Sequence, residues 1–306
     1  MAASDAPREA PSNGPAFEQR INAFCHAYGA FLVAAHQSFG QTGVTLPRPW
    51  PLIPGLPAKP WRSVLNTALA HSAQPDGMIL EFGVYKGRSI RYLARQRLSC
   101  SVHGFDSFEG FPQDHRADWQ QNFAVASLPR VPGNVQLHQG YFEQTLPPFL
   151  KGWRAQRPAL ALVHIDCDIF SSAHYVLSTL GPHLGPGDVI VFDELMNYAG
   201  FARNEFLALY LLLVTRGLDF EWLETCGVAY PFAAQEGRMM NGGFNRYRRA
   251  GFYQNHAIRL RAHSGEGHFA PVAISQRLVE NLRGEIVPLL HSQAIDAGLI
   301  DVACAR

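Results

Sequence analysis

Six carboxylates stand where apolar stretches of this 306-residue chain end. Glu81 follows Met78, Ile79 and Leu80; Asp106 follows residues 101–105; Asp166 and Asp168 follow residues 159–165; Asp193 and Glu194 follow residues 189–192. A carboxylate in such a place can accept hydrogen bonds from hydroxyls, take up a proton or hold a divalent cation. Two glycines, Gly83 and Gly87, separate Glu81 from a helix carrying Ile90, Tyr92, Leu93 and Ala94. Gly83 lets the chain turn sharply beyond the strand, and Gly87 lets the helix start close to it. Asp106 lies 19 positions after Gly87. An acid about 20 residues beyond a glycine turn, at the end of the second strand, is placed to accept both hydroxyls of a ribose. The plain alternative for Asp106 is a turn cap.

The turn lacks the third glycine of a pyrophosphate-binding GxGxxG, which disfavours a nicotinamide cofactor. A ligand with ribose and adenine but no pyrophosphate fits better, and S-adenosylmethionine is such a ligand. Glu81 would meet its ammonium group, directly or through water, and Asp106 its ribose. Gly83, Tyr85, Gly87 and Ser89 from the turn and Ser107 beside Asp106 complete this half of the expected cofactor site. Gly140, ending a strand at 135–138, allows backbone to approach the adenine. Tyr141 and Phe142 are placed either to stack on that ring or to fill the core.

The elements that must hold these residues follow from periodicity. Residues 159–165, ALALVHI, are almost continuously apolar, as a strand buried on both faces must be. Residues 189–192 form another such strand after the GPGD break at 185–188, and further strands are expected at 219–225 and 256–260. Helices are expected at 17–36, 62–73, 203–216 and 274–290, and another opens at Ser171 and Ser172 with Val176, Leu177, Leu180 and Leu184 as its apolar stripe. Strands alternating with helices predict an α/β, doubly wound, mostly parallel sheet, seven-stranded, with helices on both faces. Such sheets bind ligands at the carboxyl ends of their strands, so the six acids should share one cleft. The expected division is 1–60 (a disordered start, the amphipathic helix and a linker with six prolines at 45–60), a domain at 61–262, and a C-terminal extension at 263–306. Residues 114–130 read as a loop and helix covering the site. The glycine-rich, aromatic stretch 227–255 suits a substrate loop.

Composition narrows the partners. The formal net charge is +1, so no broad field draws nucleic acid or an anionic membrane, and Arg246, Arg248 and Arg249 read as solvated surface. Five scattered cysteines without a CxxC pair fit reduced thiols in a cytoplasmic setting. No basic segment followed by an apolar run opens the chain, and the longest apolar run, 207–214, is far short of the roughly 20 residues that span a bilayer. The expected partner is a small-molecule acceptor; the amphipathic N-terminal helix suits a core element or a homo-oligomer contact.

The segments EFGVYKGRS (81–89), GFDSFEGFP (104–112), GYFEQTLP (140–147), HIDCDIFSS (164–172) and GPGDVIVFDE (185–194), in that order, resemble class I S-adenosylmethionine-dependent methyltransferases with a Rossmann-like fold. Within them the chain is most similar to the macrocin O-methyltransferase-like group, which acts on sugars in natural-product pathways; the resemblance covers roughly residues 76–225. It implies O-methylation of a small-molecule hydroxyl. It also implies a magnesium ion held by Asp166, Asp193 and Glu194, where the family pair is usually two aspartates and Glu194 departs from it. Catalytic candidates are Asp166, Asp168 and Asp193. For the general base Asp168 is the better candidate, since His164 points into the sheet and His174 lies on a helix. A different class stays open: Asp166-Cys167-Asp168 is a DxD, as in metal-dependent glycosyltransferases, although that reading leaves the glycine turn and Asp106 idle.

Overall fold

A computed structural model describes residues 15–39, 60–112, 123–156, 159–227, 252–292, 295 and 297–304. The proline-rich linker and most of the 227–255 loop therefore lie outside the described residues, as does part of the expected cover at 114–130. The first helix, α1 (Pro15–Phe39), is followed by α2 (Pro60–His71), β1 (Met78–Phe82), α3 (Arg88–Gln96), β2 (Val102–Asp106), β3 (Val135–Gln139) and α4 (Phe142–Gln156). Then come β4 (Leu160–Ile165), α5 (Phe170–Leu180), β5 (Val189–Phe192), α6 (Glu205–Arg216), β6 (Leu218–Gly227), β7 (Phe252–Ala262), α7 (Gln276–His291) and α8 (Ala297–Cys304).

The seven strands form one sheet in the order β3-β2-β1-β4-β5-β7-β6. Strands β3 to β5 pair in parallel, and β7 runs antiparallel to both neighbours. This is the expected doubly wound sheet. Alternation along the strands sends Leu80, Phe82, Val163, Ile165, Ile190 and Phe192 into one apolar layer with α1, α4, α5 and α6. Ile79, Leu162, Val189 and Val191 face the opposite layer, filled by Val64, Leu65 and Leu69 of α2 and Ile90 and Leu93 of α3. Both faces of the central strands are covered, which explains why they read as unbroken apolar runs.

The N-terminal helix is a core element of this chain. Its Tyr28 hydroxyl donates to the Ala202 carbonyl at 2.6 Å, and Phe31 packs on Phe206 and Tyr210 of α6. At its C-terminal end Ser38 Oγ accepts from Trp222 Nε1 at 3.0 Å and lies 2.7 Å from His268 Nε2, whose other ring nitrogen meets Asp219. The C-terminal extension packs against the same helix through Leu278, Val279, Leu282 and Ile286 of α7, so both extensions form one layer over the sheet. Among the described residues, no helix is long and apolar enough to cross a membrane.

The strand order reverses between β1 and β4, and there the two strand ends come unusually close. A Cβ placed on Gly83 (φ +91°) would stand 1.8 Å from the Asp166 carbonyl oxygen. No side chain fits there, and the left-handed φ already penalises one. Gly83→Ala is therefore expected to lower the melting temperature by on the order of 10 °C or prevent folding. Gly284→Ala, on α7 with open space around the added methyl, should raise stability by up to about 1 kcal/mol. Thermal unfolding of the two variants checks the contrast; a Gly83→Ala protein that melts like the parent would contradict the close approach.

Candidate active site

At the β1–β4 reversal lies a cavity of about 1020 Å³, where open parallel sheets bind their ligands. Its lining includes Gly83, Tyr85 and Ser89 from the glycine turn, Asp106 and Ser107 after β2, and Tyr141 and Phe142 before α4. The acids Asp166, Asp168, Asp193 and Glu194 complete the floor, so the strand ends do bring the acids after β4 and β5 to one place. Glu81, Gly87 and Gly140 stand outside the lining. Gly87 (φ +70°) is the N-cap of α3, packed against Pro129, and Gly140 (φ +138°) faces Gln144 and Thr145.

Glu81 is the largest departure from expectation. Strand β1 continues through Phe82, so Glu81 lies inside the strand, in register with Gly104 and His164, and is fully buried. Its Oε2 lies 2.9 Å from His164 Nδ1 and its Oε1 accepts from Ser89 Oγ at 3.0 Å. Burial raises its pKa, opposed by His164 and Ser89. Ser89, which does line the cavity, stands between Glu81 and the ligand space.

Asp106 does two things at once. Its Oδ2 accepts from the backbone N–H groups of Val84 at 2.8 Å and Tyr85 at 2.6 Å, and its Oδ1 accepts from Phe108 N–H at 2.6 Å. The turn-cap reading is thus present in the structure, and the carboxylate still lines the cavity with further lone pairs on both oxygens. Tyr85 (φ 48°) and Asp168 (φ 63°) hold left-handed backbone at the cavity wall, a strained arrangement that clusters at ligand sites.

The floor is electrostatically crowded. Burial first, then the charges of Asp193, Asp168, Glu81 and Glu194, push the Asp166 carboxyl well above its usual range. Asp193 accepts from Asn255 Nδ2, which also reaches its backbone carbonyl at 3.0 Å. His174 is stacked on Phe170, its pKa lowered by burial, and is outside the lining.

Several site residues are not singled out by the sequence, although Tyr253, Gln254 and Asn255 end the stretch 227–255 expected as a substrate loop. Tyr253, Gln254 and Asn255 line the cavity because β7 is antiparallel, which brings its beginning to the carboxyl end of β5. Trp61 arrives from the start of α2, with the Arg88 guanidinium 5.0 Å from its ring centre. Glu205 matters most. It opens α6, is fully buried, and its two oxygens accept from Cys167 N–H at 3.1 Å and Glu194 N–H at 3.4 Å. It thereby ties the loop after β4 to the loop after β5. An acid opening the apolar run at 206–214 was the available clue, since helix starts favour carboxylates.

Residues 80–195, the segment holding most of the cavity, match the family model described as a methyltransferase domain. A curated relative from Streptomyces olivaceus, 8-demethyl-8-(2,3-dimethoxy-alpha-L-rhamnosyl)-tetracenomycin-C 4'-O-methyltransferase, is 27% identical over 158 residues, covering 42% of this chain and 56% of that relative. The match thus spans little more than half of that relative's length. Among solved structures, the calicheamicin methyltransferase CalS11 aligns at 19% identity with a TM-score of 0.42, covering 84% of this chain and 99% of that one. The apo structure of CalS11, described as a TDP-rhamnose 3'-O-methyltransferase, aligns at 20% identity with a TM-score of 0.38, covering 65% and 76%.

Burial, then Glu194 and Asp193, push the Glu205 carboxyl from an ordinary 4.5 up to about 8, against the pull of its two amide donors. Between those values the folded protein holds a proton that the unfolded chain releases, so this group's contribution to stability falls as pH rises through that window. Glu205→Gln carries no such titration. Its melting temperature relative to the parent should therefore climb between pH 5.5 and pH 8.5, read by paired thermal scans. A difference that stays flat with pH would refute the assignment.

Proposed function

We propose that this protein is an S-adenosylmethionine-dependent O-methyltransferase whose acceptor is a hydroxyl of a sugar or natural-product intermediate. The observation that carries this reading is the coincidence of the methyltransferase-domain match with the switch-point cavity. There the glycine turn presents a carboxylate, Asp106, rather than a ring of free amides. In this reading Asp106 and Ser107 hold the ribose, Tyr141 and Phe142 flank the adenine, and Gly83, Tyr85 and Ser89 receive the methionine end. Glu81 acts on that end from behind Ser89. The printed activity of the tetracenomycin relative, O-methylation of a rhamnosyl compound, favours a sugar acceptor.

The chemistry needed is an in-line displacement. The acceptor oxygen forms a bond to the sulfonium methyl carbon, the sulfur–methyl bond breaks with its electron pair passing to sulfur, and the hydroxyl proton leaves to a base. Products are the methyl ether and neutral S-adenosylhomocysteine. Most of the acceleration comes from holding oxygen, carbon and sulfur in line, which can contribute roughly 7–11 kcal/mol. Asp168 and Asp193 line the floor and are the bases within reach of a hydroxyl seated there; such a base adds about 10²–10⁴ in rate. Asp166, with a pKa well above the usual range, is a poorer acceptor of charge unless a cation joins it.

A divalent ion fits this floor. The Asp166 carboxylate lines the cavity with no hydrogen-bond partner among the described residues, and hard carboxylate oxygens are what such ions take. Asp166 and Asp193 would hold it, and when bound it would lower the pKa of a coordinated hydroxyl.

Asp106→Ala should abolish measurable binding of S-adenosylhomocysteine. Asp193→Ala should bind it within about twofold of the parent while losing at least 10²-fold in turnover. Isothermal titration and methyl-transfer assays on both variants decide this. Unchanged cofactor affinity in Asp106→Ala would remove the ribose assignment.

A further inference from the structure

The family resemblance implies Asp166, Asp193 and Glu194 as metal ligands. The folded chain brings together a different trio. The ligand atoms of His164, Asp166 and Asp193 all lie within 4.8 Å of one another. Strand geometry explains why. His164 and Asp166 are two apart on β4 and so share a face of the sheet. His164 pairs in register with Val191 of β5, and Asp193 follows Val191 by two, which brings it beside Asp166. The Glu194 side chain is buried, and its backbone N–H is engaged by Glu205.

Two further features point to an ion. His164 is only 2% exposed, and its one hydrogen bond is from Nδ1 to Glu81 Oε2 at 2.9 Å. That leaves Nε2 without a hydrogen bond among the described residues, like the Asp166 carboxylate, while the third member, Asp193, accepts from Asn255. A buried imidazole that gives Nδ1–H to a carboxylate and offers Nε2 is how metal-bound histidines are held, because the carboxylate fixes the tautomer and raises ligand basicity. The distances are compatible as well: ligands at about 2.0–2.2 Å on opposite sides of one ion stand roughly 4.2 Å apart, so side-chain shifts below an ångström close the set.

We propose that His164 Nε2, Asp166 and Asp193 form a binding site for a divalent first-row transition ion, with Glu81 as the residue that orients His164. One nitrogen and two carboxylate ligands suit Mn(II), Fe(II), Co(II) or Zn(II), whereas Mg(II) prefers oxygen ligands alone. Glu81 thereby gains a structural reason for its burial inside β1. Ion binding is independent of methyl transfer: failure to bind S-adenosylhomocysteine would sink the proposed function and leave this site standing, and failure to bind ions would do the reverse.

The test uses the full chain freed of metal by chelation and dialysis, titrated calorimetrically with Mg(II), Mn(II) and Co(II), with the visible spectrum of Co(II) as a second readout. Co(II) should bind at least tenfold more tightly than Mg(II). His164→Gln should bring Co(II) down to the level of Mg(II), and Glu81→Gln should weaken Co(II) by about 10–100-fold. Should a buried variant fail to fold, the parent itself decides: Mn(II) bound to it should show electron–nuclear coupling to one imidazole nitrogen. Magnesium binding as tightly as Co(II), His164→Gln holding Co(II) as tightly as the parent, or a bound Mn(II) with no nitrogen coupling would each overturn the proposal.

Discussion

The close approach of two backbones at the centre of the sheet governs this molecule. Gly83 and the Asp166 carbonyl meet at a separation that admits no Cβ, where β1 has just ended and β4 is ending. Asp166 N–H donates to the Phe82 carbonyl at 2.8 Å, and Asp193 N–H donates to the Ile165 carbonyl at 2.9 Å, so hydrogen bonding runs past the formal strand ends and carries the acids with it. The cavity wall is thus an outgrowth of the sheet rather than a separate loop structure. Ligand groups placed by a sheet are held more rigidly than groups placed by loops, which suits a reaction that depends on alignment.

Crowding of negative charge is the cost of that arrangement. Glu81, Asp166, Asp168, Asp193, Glu194 and Glu205 all gather near one cavity floor, and burial raises the pKa of Glu81, Asp166 and Glu205. The chain meets the problem in three different ways. Glu81 has an imidazole and a hydroxyl, Glu205 has two backbone amides, and Asp193 has an amide side chain, while the Asp166 carboxylate has no hydrogen-bond donor among the described residues. A cationic ligand, whether a sulfonium, an ammonium or a metal ion, supplies what the protein withholds there.

Much of the fold was legible because its signals are local or strictly periodic. Continuous apolar runs mark buried parallel strands, and the residues after them fall at carboxyl ends whichever order the strands take. Asp106, Asp166, Asp168, Asp193 and Glu194 could therefore be placed around one cavity from spacing alone. Glu81 could not, because whether a strand stops at Leu80 or Phe82 depends on pairing with β2 and β4, and two residues of extension take a side chain from the ligand space into the sheet. The individual places of Asn255, within the expected substrate loop, and of Glu205, at a helix start, were illegible for a related reason. Their positions depend on an antiparallel crossover and on a helix start docking under two loops, and both are set by long-range packing that no local pattern encodes. The C-terminal extension had no readable role because its partner, α1, lies some 250 residues earlier in the chain.

The same geometry explains why this turn selects against a pyrophosphate cofactor. In dinucleotide sites the amides of a glycine turn and helix start point at phosphate oxygens. Here Val84 and Tyr85 N–H groups already donate to Asp106, which also accepts from Phe108. A diphosphate would have to displace a carboxylate holding three donors and then sit beside its charge, in a cavity floored by further acids. A neutral ribose would meet no such barrier: in the proposed reading its hydroxyls donate to the lone pairs that Asp106 has left, and the carboxylate stays where the fold put it. In that reading cofactor choice is made inside the protein, by an internal carboxylate that occupies the turn's amides before any ligand arrives.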